Sequence, residues 1–172
     1  MARDVPIDYN SADYGSTVKQ RVLRRLKDKI AVMQDGGEDL WRAVYWGDLE
    51  DLDNVGLPAV GFDYGTEEHL QIIFPCQEFR VPVFIYFRFR GARGLVEQEV
   101  YEYYLGLLKL ALLGDHNLPD GSGENPVALN VEEESNAHTI IGIEDTYPGG
   151  TLSVNVTYRT RLHNPYKLPH ES

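Results

Sequence analysis

Apolar residues recur at helical spacing in two stretches of the chain and alternate with polar ones through most of the rest. Val18, Val22, Leu26, Ile30 and Met33 follow one another at steps of four or three, which lines one face of a helix. Ser16 or Thr17 can N-cap it, and the pattern predicts that it runs to about Gln34. Asp35-Gly36-Gly37 is expected to stop it, with glycine free to take the left-handed C-terminal turn. A second helix is predicted over Ala92–Leu113, with Val96, Val100, Tyr104, Leu107, Leu108 and Ala111 as its apolar stripe and Gly114 closing it. Glu97, Glu99 and Glu102 lie in its early turns, where carboxylates complement the helix dipole.

The remaining segments read as strands and turns. Leu152, Val154, Val156 and Tyr158 alternate with Ser153, Asn155, Thr157 and Arg159, the signature of a half-buried strand that ends in a proline-stopped exit, Asn164-Pro165-Tyr166. Ala43–Trp46 is a short strand, and Leu57–Gly65 a proline-led edge strand. His69–Phe74 and Phe79–Arg90 follow, joined through Pro75-Cys76-Gln77-Glu78. In the latter, Val83, Ile85, Phe87 and Phe89 share one face and Phe84, Tyr86, Arg88 and Arg90 the other, so the strand is expected to be covered on both sides or to sit at an interface. Val127–Val131 and Thr139–Ile143 are short strands, and Tyr147-Pro148-Gly149-Gly150 turns into the last one. Helix, strands, helix, strands without regular alternation gives an α+β class: one mixed or antiparallel sheet packed against two amphipathic helices. Residues 1–15 lack periodicity and read as an N-terminal arm, 16–166 as a single domain, and 167–172 as a C-terminal tail.

Composition adds limits to this picture. The 172 residues suffice for one ordinary core, and 11 Tyr with 6 Phe favour a packed fold over disorder. One cysteine, Cys76, excludes an internal disulfide and suits assembly in a reducing cytoplasm. No apolar leader follows Met1, and the apolar run Leu105–Leu113 is broken by Lys109 and too short for a bilayer, so no membrane association is expected.

Charge is uneven as well as negative. The net of -11 divides into +3 over residues 1–34, -9 over 35–80, +1 over 81–114 and -6 over 115–172. Sequence-independent nucleic-acid binding needs a cationic face, so this balance argues against it as the main activity. The first helix is the exception: Lys19, Arg21, Arg24, Arg25, Lys27 and Lys29 stand opposite its apolar stripe, as a solvated face or as a contact for an acidic neighbour, another copy included.

Catalytic patterns are sparse. His69, His116, His138, His163 and His170 are scattered without metal-ligand spacing, and neither Gly121–Gly123 nor Gly149–Gly150 has the context of a phosphate loop. No catalytic residue, metal or cofactor is expected. Glu132-Glu133-Glu134 reads as a solvated loop or strand end rather than an acid/base cluster. Aromatic residues interleaved with arginine, at Phe84, Tyr86 and Arg88 and again at Tyr158, Arg159 and Arg161, fit a protein interface better than a base-stacking platform in so acidic a chain. Tyr166 in the exit segment belongs with that group.

Several segments carry a resemblance to a known family. An amphipathic first helix precedes "P-A-V-G-F-D-Y-G-T" (58–66), "V-P-V-F-I-Y" (81–86), "G-L-V-E-Q-E-V-Y-E-Y-Y" (94–104) and the closing "Y-P-G-G-T-L-S-V-N-V-T-Y-R-T" (147–160). Over residues 16–166 this order resembles the tail terminator and tail-completion proteins of long-tailed bacteriophages. The resemblance implies a virion protein of the tail-neck region, made in the host cytoplasm, that forms a hexameric ring of identical subunits. Such a ring sits on the last ring of tail tube protein, ends its polymerisation and meets the head-tail connector or neck protein. It also implies a lumen through which genomic DNA passes without specific binding, for which Asp48, Glu50, Asp51, Asp53, Glu132, Glu133 and Glu134 are candidate acidic lining. The basic helix face would meet an acidic surface of the next subunit. A neck or head-closure role in the same virion, and a small cytoplasmic enzyme or ligand-binding domain, are the competing readings.

Overall fold

Thr17 opens the first helix, α1 (Val18–Ala31), in the computed structural model, which describes residues 17–46, 56–90, 97–114, 118, 127–139 and 147–171. Its hydroxyl accepts from the Gln20 N–H at 3.2 Å while the Gln20 carboxamide accepts from the Thr17 N–H at 2.9 Å, a reciprocal capping box. Val18, Val22, Leu26 and Ile30 are buried as the periodicity predicts, joined by Leu23, and Met33 packs at their flank.

The helix ends three residues before the sequence suggests. Val32 is its C-cap, and the chain folds back at once into a small hairpin of β1 (Gln34–Asp35) and β2 (Glu38–Asp39). Gly36 and Gly37, at φ +60° and +88°, turn that hairpin rather than cap the helix. The hairpin sets up the burial of Leu40 and Trp41, whose large apolar groups outweigh one more helical turn.

Among the described residues the main sheet has six strands: β3 (Ala43–Trp46), β4 (Ala59–Tyr64), β5 (Glu68–Ile73), β6 (Cys76–Arg88), β7 (Asn130–Thr139) and β8 (Gly149–Arg161). Their order is β3-β4-β6-β8-β7, with β5 also beside β6. Only β3–β4 is parallel, so the sheet is mixed, and both helices pack on one of its faces, as expected of the α+β class. The 13-residue strands β6 and β8 pair along their whole length, from Cys76↔Arg161 to Arg88↔Gly149. Val81, Val83, Ile85 and Phe87 of one and Leu152, Val154, Val156 and Tyr158 of the other form the floor of the core.

Several strand expectations need correction. The segment containing β4 is not an edge: β3 covers one side and β6 the other, and Ala59–Phe62 are all buried. Small Ala59 and Gly61 let Leu57, Tyr86 and Tyr147 close over that end of the outer face. The link between β5 and β6 is only Phe74-Pro75; Cys76, Gln77 and Glu78 are strand residues paired with β8. β4 and β5 pair with successive stretches of β6, so they form one bent arm of a long hairpin. Instead of two short strands, β7 is one strand that runs through Glu132-Glu133-Glu134, with a bulge between Glu133 and Ser135; Ile140–Ile143 lie outside the described residues.

In the second helix the described part is α2 (Glu97–Leu113), and its buried line is rotated from the predicted stripe. Tyr101, Leu105, Leu108 and Leu112 face the sheet, while Val100, Tyr104 and Leu107 flank them. Aromatic stacking sets this rotation. Tyr101 lies on Phe87 with ring centroids 5.7 Å apart, directly over Gly150, where an added Cβ would come within 2.4 Å of the tyrosine ring. Tyr104 lies on Phe89 at 5.4 Å. The exit after β8 is no loose tail: the Pro165 carbonyl accepts from the Val18 N–H at 2.8 Å, and Leu168 is buried.

Candidate functional site

Most of the basic face of α1 is engaged within the chain. Arg21 reaches both carboxylate oxygens of Glu171, at 2.6 and 2.8 Å, and so clamps the C-terminal segment onto the helix. That fork holds the Glu171 carboxyl below the usual glutamate value. Lys19 stands 4.0 Å from Glu67 and over the Tyr64 ring, and Lys27 lies over the Trp46 ring at 5.3 Å. Arg24 is exposed and Arg25 half-buried. Arg24 and Lys27, balanced by Asp28 and Asp63, line with Gln20 an open cleft of about 500 Å³ between α1 and the β3–β4 margin, whose apolar lining is Leu23, Trp46, Phe62 and Tyr64.

On the other face of the sheet, Phe84, Tyr86 and Arg88 are half-buried side by side along β6, as expected from their alternation. Arg159 stands on the same face of β8 and grips Glu78 at 2.8 Å (Nη2) and 2.9 Å (Nε), a tie between the two long strands near their free end. Arg161 is half-buried and its N–H donates to the Lys167 carbonyl, while Tyr166 is exposed beside it. Tyr158 does not belong with these residues. It is 2 % exposed, stacked on Phe79 in the core, with its hydroxyl on the Glu67 carboxylate, so it cannot meet a partner. Its place follows from strand parity: it shares the face of Leu152, Val154 and Val156.

Of the acidic candidates, Asp48, Glu50, Asp51 and Asp53 fall outside the described residues. Glu132, Glu133 and Glu134 are exposed in β7, the first two on opposite faces and Glu134 at the bulge, so they make no single cluster. Glu133 is 2.9 Å from Lys109 of α2 and accepts from Asn136, which holds its carboxyl below the usual value. Three carboxylates and a bulge along the β7 edge discourage pairing with a further strand.

A feature absent from the sequence-based candidates lies at the tip of the β5–β6 hairpin. Ile72, Ile73 and Phe74 are 60 %, 41 % and 84 % exposed. Ile72 pairs with Gln77 and Ile73 with Cys76, so the two isoleucines point to opposite faces and Phe74 caps the end. The sequence signal was there: three bulky apolar residues in succession against Pro75, where alternation breaks down.

Among the described residues no group of three or more His, Cys, Asp or Glu could hold a metal ion, and no helix is long and apolar enough to cross a membrane. No protein-family model and no curated protein matches the chain.

Proposed function

We propose that this chain is a structural virion subunit that closes into a hexameric ring on the tail tube, ends tube polymerisation and joins the tail to the head connector. The observation that carries this reading is the bare apolar tip Ile72-Ile73-Phe74 on a well-packed domain. A lone apolar side chain on a surface is ordinary, but three contiguous ones at the turn of a hairpin fit an interaction site. Element order along residues 16–166 supplies the assignment to a tail terminator, and the acidity of the chain suits a passage for DNA that does not grip it. A subunit of this kind acts by shape and self-contact, with no bond made or broken.

Electron micrographs of the purified protein test the reading, together with light scattering at micromolar concentration alone and with tail tube protein. Six-fold rings, and tubes that stop growing when the rings are added, are the expected result. A monomeric mass in both conditions would overturn it. Rings that bind connector protein but leave tube growth unchanged would favour a neck protein instead.

A further inference from the structure

We infer that the segment 165–171, which lies along α1 of its own chain, is exchanged between copies, so that the segment of one subunit docks on α1 of the next. This rests on the proposed ring and names a contact that would close it. What fits the seat on α1 is seen in place. Leu168 is buried beside Val127, Arg21 forks Glu171 at 2.6 and 2.8 Å, and the Pro165 carbonyl accepts from the Val18 N–H. The same segment finds the same partners on any copy, so exchange keeps every one of these contacts.

The link that folds the segment back is short and strained. Leu162, His163 and Asn164 alone separate the end of β8 from Pro165, and His163 is exposed at φ +60°, a left-handed conformation that is costly for a residue with a side chain. Straightening the link removes that strain and carries the segment away from its own helix; short hinges under strain are the ones that swap. The turn gives up two backbone bonds, from Asn164 N–H to the Arg161 carbonyl and from Arg161 N–H to the Lys167 carbonyl, at a half-exposed place where water replaces them. Docking at home is also thin. Leu168 is the buried side chain of the segment, whereas Pro165, Tyr166, Pro169 and His170 are exposed, and open hollows of about 210 and 200 Å³ flank Leu168. Pro165 and Pro169 stiffen the segment and so lower the ordering cost of docking on another copy. Each subunit gives one segment and receives one, a heterologous contact that repeats around a ring.

The test mixes two full-length variants, Arg21→Glu and Glu171→Arg, each checked by circular dichroism for a retained fold. Alone, each sets like charges against one another at the fork, and sedimentation should show association weakened roughly tenfold. Mixed in equal amounts, each segment meets an opposite charge only on the other chain, so association should return towards the wild-type level with the two chains alternating. A second measurement leaves the charges in place. Arg21→Lys chains, isotope-labelled and unlabelled, are mixed before assembly and joined by a zero-length carbodiimide cross-linker, and Lys-to-Glu171 links between a labelled and an unlabelled peptide are expected. Rings whose links all lie within one chain, or a mixture that associates no better than either variant alone, would overturn the exchange and leave the proposed function standing. Crossed links in assemblies that never reach six-fold symmetry would support the exchange and overturn the ring. Wild-type protein that stays monomeric would overturn both.

Discussion

The two ends of the β6–β8 strand pair are built on opposite principles. At the Gly149 end the backbones lie so close that a Cβ on Gly149 would come within 1.9 Å of the Phe87 carbonyl oxygen, and Tyr101 of α2 rests on Gly150. At the Cys76 end, the strands reach the Phe74-Pro75 turn, where Ile72, Ile73 and Phe74 stand in solvent. One chain thus closes one end with no room for a methyl group and leaves three large apolar side chains bare at the other. Since the packed end shows what this sequence can bury, the bare end is better explained by a surface kept for another molecule than by weak folding.

Changing the packed end should produce the largest loss. Gly149→Ala forces the added methyl into backbone rather than into a flexible side chain, and overpacking of that kind costs about 3 kcal/mol. Urea unfolding followed by circular dichroism checks this. A loss under 1 kcal/mol would mean that the strands separate easily there, and the contrast between the ends would weaken.

Arg159 sits closer to the bare end, where it ties β8 to β6. Glu78 is nearly buried and has Arg159 as its ion-pair partner, so Arg159→Met strands a carboxylate at the root of the hairpin. Because the arginine side chain is about one-third exposed, the expected cost is discounted to about 1–2 kcal/mol. Glu78→Gln in the same background should recover part of it, since the stranded charge is then gone. Without such recovery the arginine acts through packing of its stem.

How far the sequence reveals these two ends follows from what each depends on. Alternation in Leu152–Tyr158 and in Val81–Phe89 exposes the core strands, because burial on one face of a strand is a local property. The α1 stripe is legible for the same reason, whereas the rotation of α2 is not: it depends on Phe87 and Gly150, which are distant in sequence from Tyr101. Tyr158 was legible twice with conflicting meanings, and parity on the strand decides in favour of the core. Pairing between Arg21 and Glu171, 150 residues apart, leaves no periodic trace, and so the C-terminal segment reads as a tail. That the tip is bare is not legible in the sequence, because a run of apolar residues in a strand reads as buried unless the turn is located to the residue. The pattern starts the second strand at Phe79, whereas it begins at Cys76, so the turn is confined to Phe74-Pro75.

Acid should act moderately. Glu171, held by Arg21, and Glu133, held by Lys109, both have carboxyls lowered from the usual value. A carboxyl lowered in the folded state adds stability that is fully present above its unfolded value, near pH 4.5, and is lost as pH falls through the lowered folded value. Each pair is partly solvated, so the two together are worth about 1 kcal/mol at neutral pH. The Glu133→Gln/Glu171→Gln variant should therefore be less stable than wild type at pH 7, and the gap should shrink steadily as pH falls below 4.5, in urea titrations across that range. A gap that persists in acid would locate the stabilisation in packing rather than charge.

The smallest effect on the monomer is expected at the bare end. In dilute solution, Ile72→Thr/Phe74→Ser removes side chains that are mostly in water in the folded domain, so the unfolding midpoint should move by no more than about 0.5 kcal/mol in equivalent stability. Measured at concentrations where wild-type protein is assembled, the same variant should fall well below wild type, because only wild type then gains from association. A stability gap that grows with protein concentration, starting from nearly nothing, is what a surface kept for a second copy requires. A gap already above 1 kcal/mol in the monomer would show that the tip packs within its own chain, and the contrast between the two ends would fail.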